Sequence, residues 1–169
     1  MTWSSPAVRS TGELITAAIW NADIVGNMLA LKEPNSAHYE LDEGSDYTTT
    51  STSFANVDAT LGKLSLAITL AEQADVFVHF HGTVNNSGGN VFLDLSQDGT
   101  RLGLNDGILK VPTGSITPVS ITQLIPDAAA GAHTYNLMWK VSAGTGTMYA
   151  GAGTSTLDLH PQFWVREIS

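Results

Sequence analysis

The chain has 169 residues, room for one domain with a real core or one domain plus a short appendage. Hydrophobic residues make up 43% and charged residues only 14%; polarity comes instead from 19 Thr, 15 Ser and 16 Gly, which favours strands joined by tight turns. The net charge is -9, and the seven cations (Arg9, Lys32, Lys63, Arg101, Lys110, Lys140, Arg166) never come closer than nine positions apart, so no basic stripe exists to hold nucleic acid.

The absence of cysteine excludes disulfide staples, Cys-based zinc sites and thiol catalysis. At the start, Met1-Thr2-Trp3-Ser4-Ser5-Pro6 has neither a basic n-region nor an apolar h-region, so no signal peptide is expected. No apolar run approaches the ~20 residues that span a bilayer. The expectation is a soluble chain made in the cytoplasm, without membrane insertion.

From Ala17 to Lys32 the pattern is helical. Ala17, Asn21, Ile24, Met28 and Leu31 fall on a 4-3-4-3 spacing, the seam of a coiled coil. Thr16 is placed to cap this helix, Ser10-Thr11-Gly12-Glu13 offers a second box one turn earlier, and Glu33-Pro34 ends it. A helix this short is marginal alone. It therefore docks either on its own domain or on sister chains, with Asn21 fixing register in the second case.

After Pro34 the period becomes two. The division is expected at 1–38 for an N-terminal segment and 39–169 for a β domain. Glu40, Asp42, Glu43 and Asp46 match no calcium loop and read as a solvated acidic stretch. Thr48 to Ser53 reads as a polar edge strand, the alternative being a flexible linker. Val76, Val78, Phe80, Gly82 and Val84 share one strand face, with Phe77, His79, His81 and Thr83 on the other. Asn85 to Gly89 is a loop. Val91, Leu93 and Leu95 then alternate with Phe92, Asp94 and Ser96 up to the hairpin turn Asp98-Gly99. Asn105-Asp106-Gly107 makes a second turn, and short strands follow at Ile108–Val111 and Val119–Ile125. Tyr135, Leu137, Trp139 and Val141 line a face of the next strand, and Phe163 to Ile168 forms the last one. Eight or so short strands with regular turn signals predict an antiparallel β-sandwich, of jelly-roll type, behind a short N-terminal helix.

No side-chain pattern here announces catalysis. There is no Gly-x-Ser-x-Gly elbow and no phosphate loop, and Asp94 and Asp98 would serve a glycosidase only if a cleft joined them. His79 and His81 give His-x-His on one face, too few ligands for a metal within one chain but enough if repeated around an oligomer axis. They read first as polar residues of the less buried face, with an axial metal or a pH-sensitive interface as alternatives. Trp164, Tyr135 and Trp139 are candidates for core packing or for a sugar platform. No metal and no cofactor is expected, and no enzyme.

Two stretches carry a resemblance. Thr2-Trp3-Ser4-Ser5-Pro6, then Thr11-Gly12-Glu13-Leu14-Ile15-Thr16-Ala17-Ala18, Asn21, Asn27 and Leu31-Lys32, resembles an N-terminal segment common in tailed-bacteriophage structural proteins, with Met28 where that pattern has leucine. The region from Tyr47 to Ile168 is similar to jelly-roll modules of phage fibres and decorations, through Asp98-Gly99-Thr100-Arg101, Gly131-Ala132-His133-Thr134, Leu137-Met138-Trp139-Lys140 and Leu159-His160-Pro161-Gln162-Phe163-Trp164-Val165. Helix followed by jelly roll also resembles trimeric heads of the tumour-necrosis-factor and C1q kind. The resemblance implies a virion surface protein: a head fibre, capsid decoration or tail-fibre module. Its expected partners are further copies of itself, as a homotrimer, and a capsid or tail protein. The helix stripe Ala17, Asn21, Ile24, Met28 and Leu31 would then be the oligomer interface. A host-surface glycan is the alternative partner, met by Asn85, Asn86, Asn105 and Asp106.

Overall fold

The structure, a computed structural model, describes residues 7–8, 10–28, 34–153 and 155–168. Leu31 and Lys32 of the expected helix, and Thr2 to Pro6 of the N-terminal motif, lie outside the described residues.

The helix begins where the sequence places it. Thr16 is extended, and its Oγ1 accepts from the N–H of Ile19 at 3.3 Å, so the capping hydroxyl satisfies a donor the first turn leaves free. Ser10 and Glu13 close a turn of their own, Glu13 Oε2 accepting from Ser10 N and Ser10 O from Glu13 N, but no helix starts there. The chain is helical from Ala17 through Met28, the last described residue of this stretch, but not as one regular α-helix: α1 covers Ala17–Trp20, Asn21–Gly26 continues as a wider π turn, and Asn27 and Met28 return to α. A π turn takes an extra residue per hydrogen-bonded ring, so the 4-3-4-3 stripe does not stay straight through Asn21 and Ile24. The widening ends at Gly26, where a Cβ would sit 3.3 Å from the Asn21 carbonyl oxygen.

The sandwich takes in residues from 36 onward. Its strands are β1 (Ser36–Glu40), β2 (Tyr47–Thr49), β3 (Ala55–Asn56), β4 (Ser65–Leu70), β5 (Ala74–Asn86), β6 (Val91–Gln97), β7 (Thr100–Arg101), β8 (Leu109–Val111), β9 (Thr117–Ala128), β10 (Gly131–Val141), β11 (Gly146–Met148) and β12 (Gln162–Ile168). Every pairing between them is antiparallel. The principal strands form one sheet in the order β1-β12-β5-β9 and a second in the order β4-β10-β6-β8. The chain passes repeatedly from one sheet to the other, which is the jelly-roll winding. The fold is mainly β, with one short N-terminal helix.

Alternation decides which face of each strand is buried. Val76, Val78, Phe80 and Val84 of β5 meet Tyr135, Leu137, Trp139 and Val141 of β10 in one core, joined by Phe163 and Val165 of β12 and Leu93 and Leu95 of β6. Gly82 belongs to the same inward row because Phe80 leaves no space: a Cβ there would lie 2.5 Å from the Phe80 ring. The Asp98-Gly99 turn has both residues at positive φ, as a tight hairpin between β6 and β7 requires. Of the expected Thr48–Ser53 edge strand, Thr48 and Thr49 are paired as part of β2, against β11, and the Ser51 carbonyl accepts from Val141 N of β10. Beyond β2, Ser51 and Ser53 bond to each other in a turn, a habit of serine that competes with strand pairing. The outer edge of the long strand β9 carries Pro118 and Pro126, which remove donors where another strand could add.

Candidate interaction surfaces

The outer face of the first sheet can be read as a grid from the register. One row is Ser36, Arg166, Phe77 and Leu124; the next is His38, Trp164, His79 and Thr122; the third is Glu40, Gln162, His81 and Ser120. A sheet face that meets water is expected to be polar. Here Phe77, Leu124 and Trp164, with Ile168 at the margin, are between 38% and 47% exposed. The His79 and Trp164 rings lie 5.4 Å apart, tilted by 55°, and His79 Nδ1 is 2.9 Å from Thr122 Oγ1. Burial by these neighbours, and then the proximity of His81, lower the His79 pKa below the usual histidine value. Beside this centre an open depression of about 420 Å³ is lined by His38, Glu40, Gln162, Trp164 and Arg166. Among the described residues, no group of three or more His, Asp and Glu gathers as a metal cage, around His79 and His81 or elsewhere.

The N-terminal segment makes a second apolar surface. Leu14, Ile15, Trp20 and Met28 are 54% to 79% exposed, and neither α1 nor the π turn contains a buried residue. Of the expected stripe, Ala17, Asn21, Ile24 and Met28 all face solvent.

The second sheet differs. The outward residues of β6, which alternate with the core residues Val91, Leu93 and Leu95, are all buried as well: Phe92, Asp94 and Ser96. The cover is local. Asp94 accepts from Arg101 Nε at 2.7 Å, from Gly103 N at 2.8 Å and from Leu95 N at 2.8 Å. The Arg101 guanidinium lies 3.8 Å over the Phe54 ring and also donates to the Leu104 carbonyl. Lys140 Nζ sits 4.8 Å from the same ring and 4.9 Å from that of Phe92, and donates to the Asn105 carbonyl and to Asp106. This network escapes sequence reasoning except for one signal: Asp94 and Arg101 flank the Asp98-Gly99 turn at positions that become diagonal neighbours on one face of the hairpin.

The two candidate ligand loops are built differently. Asn86 is buried and ties its loop to the β10–β11 turn, Nδ2 donating to the Ala143 carbonyl, while Oδ1 accepts from Gly88 N within the loop; Asn85 Oδ1 accepts from Asn86 N. Asn105 and Asp106 are exposed, tethered by Lys140 as above. Tyr135 and Trp139 lie in the core, away from any ligand, whereas Trp164 is on the outer face. At the far end of β10, His133 Nδ1 is 2.7 Å from Asp98 Oδ2 and Nε2 is 2.7 Å from the Ala129 carbonyl. Two acceptors call for two N–H donors, which only the imidazolium has. The bonds to Asp98 and then Ala129 raise the His133 pKa. Burial opposes ionisation of Asp98, but the N–H of Thr134 and the His133 ring outweigh it and hold the carboxyl below its usual value. In the acidic stretch, Glu43 pairs with Lys63 at 2.7 Å and Asp46 accepts from Ala150 N, so part of it is structural.

No family model and no curated protein matches the sequence. Solved structures similar to this chain include the PRD1 vertex protein P5, with a TM-score of 0.46 and 10% identity over 80% of this chain and 98% of that one. Eiger TNF from S. frugiperda has a TM-score of 0.44 and 12% identity over 81% and 94% of the two chains. The VP2 subviral particle of infectious bursal disease virus has a TM-score of 0.39 and 12% identity, over 81% of this chain and 38% of that chain.

Proposed function

We propose that this protein is a non-enzymatic structural component of a bacteriophage particle, a decoration or fibre module of the virion surface, assembled as a homotrimer and held to the particle by its N-terminal segment. The observation that carries the reading is the apolar N-terminal helix, whose Trp20, Ile24 and Met28 stay in solvent on an isolated protomer. A helix of this length does not hold itself in water, and α1 and the π turn bury no residue among those described, which supports a partner outside the protomer. The resemblance of Thr11 to Ala18, Asn21 and Asn27 to virion attachment segments supplies the kind of partner. The sandwich contributes stiffness: its core is continuous, and its polar side chains are spent on turns and on the closure of the second sheet.

The test is an image of the purified particle with this protein labelled, alongside particles made with Ile24→Asp and Met28→Asp. Regular occupancy that disappears in the variants supports attachment through the helix. Absence of the wild-type protein from the particle refutes the reading. Specific binding on a glycan array, without regular occupancy of the particle shell, would assign the chain instead to host-surface recognition through Asn105 and Asp106.

A further inference from the structure

We infer that the outer face of β1, β12, β5 and β9 is a contact between copies of this chain, centred on Trp164, His79 and Phe77. The inference rests on the homo-oligomeric reading above and deepens it by naming where the copies meet, at a surface separate from the helix.

Charge identifies the occupant. The chain carries a net -9, so two copies repel each other over most of their surface. Across the three rows of this face there is one fixed cation, Arg166, and one fixed anion, Glu40. Asp75, at the margin, adds one carboxylate, which accepts from the N–H of Asp127. A like-charged copy therefore meets less repulsion here than over the rest of the surface, and a strongly basic or acidic partner finds few charges to pair with.

Size and shape agree. Four strands about 4.8 Å apart and about six residues long make a footprint of roughly 400 Å². Of its twelve residues Phe77, Leu124 and Trp164 are the large apolar ones, so the footprint is wider than its apolar part. It is about half of the ~800 Å² per partner in a stable pair, so adjoining surface must complete the contact. The residues are those that anchor interfaces: an aromatic at the centre, aliphatics around it and an arginine at the rim. Pro118 and Pro126 block strand addition along β9, which leaves the face itself rather than that edge for association.

The experiment uses the full chain, in sedimentation velocity over a dilution series at neutral pH. Wild type is compared with Phe77→Glu and Trp164→Glu, both at outward positions, with circular dichroism to verify that each variant is folded. Each substitution is expected to weaken association at least ~10-fold. Because the chain lacks cysteine, Ser120→Cys reports the same face independently: a bulky maleimide should label it slowly in the assembly and quickly after dilution to protomers. A wild-type chain that sediments as a single protomer overturns this inference and the homo-oligomeric reading together. Assembly unchanged in both glutamate variants, with Ser120→Cys labelled at the free rate, overturns the inference alone. Assembly lost in Ile24→Asp and kept in Trp164→Glu has the same meaning.

Discussion

Removal of the Asp94 carboxylate tests whether the second sheet closes itself as described. Asp94→Ala takes an acceptor from three donors: Arg101 Nε at 2.7 Å and the N–H groups of Gly103 and Leu95, both at 2.8 Å. Breaking a buried ion pair by deleting one partner costs about 3–5 kcal/mol when the stranded charge stays buried. The Arg101 side chain is 31% exposed, so it recovers part of its hydration, which reduces this cost. The two backbone donors each add about 1 kcal/mol if left without a partner. The expected loss is about 3 kcal/mol, or a fall in Tm of roughly 6–12 °C for a chain of this size. Melting must be measured at one protomer concentration, since the proposed self-association would shift Tm by mass action. Arg101→Met should cost more than Asp94→Ala, because it strands a carboxylate with no exposure of its own. The double variant should recover at least ~1 kcal/mol relative to the sum of the singles. Additive losses, or a fall of less than about 2 °C in Asp94→Ala, would refute the network as the element holding this sheet closed.

The remaining predictions concern single positions. Tyr135 is fully buried with a hydroxyl that has no hydrogen-bond partner among the described residues, and burial followed by the nearby Asp98 pushes its pKa up to about 12. Tyr135→Phe should therefore raise stability by about 1 kcal/mol in urea unfolding, and a loss of that size would contradict the orphaned hydroxyl. Gly107→Ala should destabilise by at least ~3 kcal/mol, since φ is +75° and the new Cβ would lie 2.5 Å from the Leu93 carbonyl oxygen. Gly99→Ala, at φ +81° in open space, should cost only about 1 kcal/mol by the same measurement. The His133–Asp98 pair sets a pH window. The raised His133 pKa gives stability that is complete below about 6.5 and lost as pH rises through the raised value; the lowered Asp98 pKa gives stability present above about 3.8 and lost as pH falls through the lowered value. His133→Gln should flatten the fall in Tm on the alkaline side, by less than ~1 kcal/mol because the pair is partly in water. His79 acts in the opposite sense: its lowered pKa means stability is lost as pH falls below about 6.5 towards that value, and His79→Gln should remove this slope.

Much of the sandwich was legible because its strands obey a period of two around turns with strong chemistry. The alternation from Val76 to Val84 placed Phe80 in the core and His79 and His81 outside, and Asp98-Gly99 marked a hairpin. Thr16 announced the helix start by its hydroxyl. The π turn was not legible: Asn21 to Gly26 fits α spacing as well as any other, and the choice depends on backbone hydrogen bonds that side-chain periodicity does not encode. The burial of the outer row of β6 was not legible for a different reason. Alternating Phe92, Asp94 and Ser96 look solvent-facing until Phe54, Arg101 and Lys140 arrive from three other segments, a coincidence in space with no local signature.

The unequal treatment of the two outer faces is what gives the fold a direction. Both faces combine aromatic residues with polar ones: Phe92 with Asp94 on the second sheet, Phe77 and Trp164 with His79 on the first. The second sheet covers its own with a turn in which Gly103 and Gly107 approach too closely for any side chain, so the cover cannot thicken or loosen without strain. No described loop does this for the first sheet, and three large apolar side chains remain near half exposure over its centre. Burial of roughly 100 Å² on each, at about 25 cal/mol per Å², would gain several kcal/mol in all. Among the described residues nothing takes up that gain; in the proposed contact a neighbouring copy would. Covering the second sheet internally and leaving the first to a neighbour would let the chain fold alone and still assemble in one orientation.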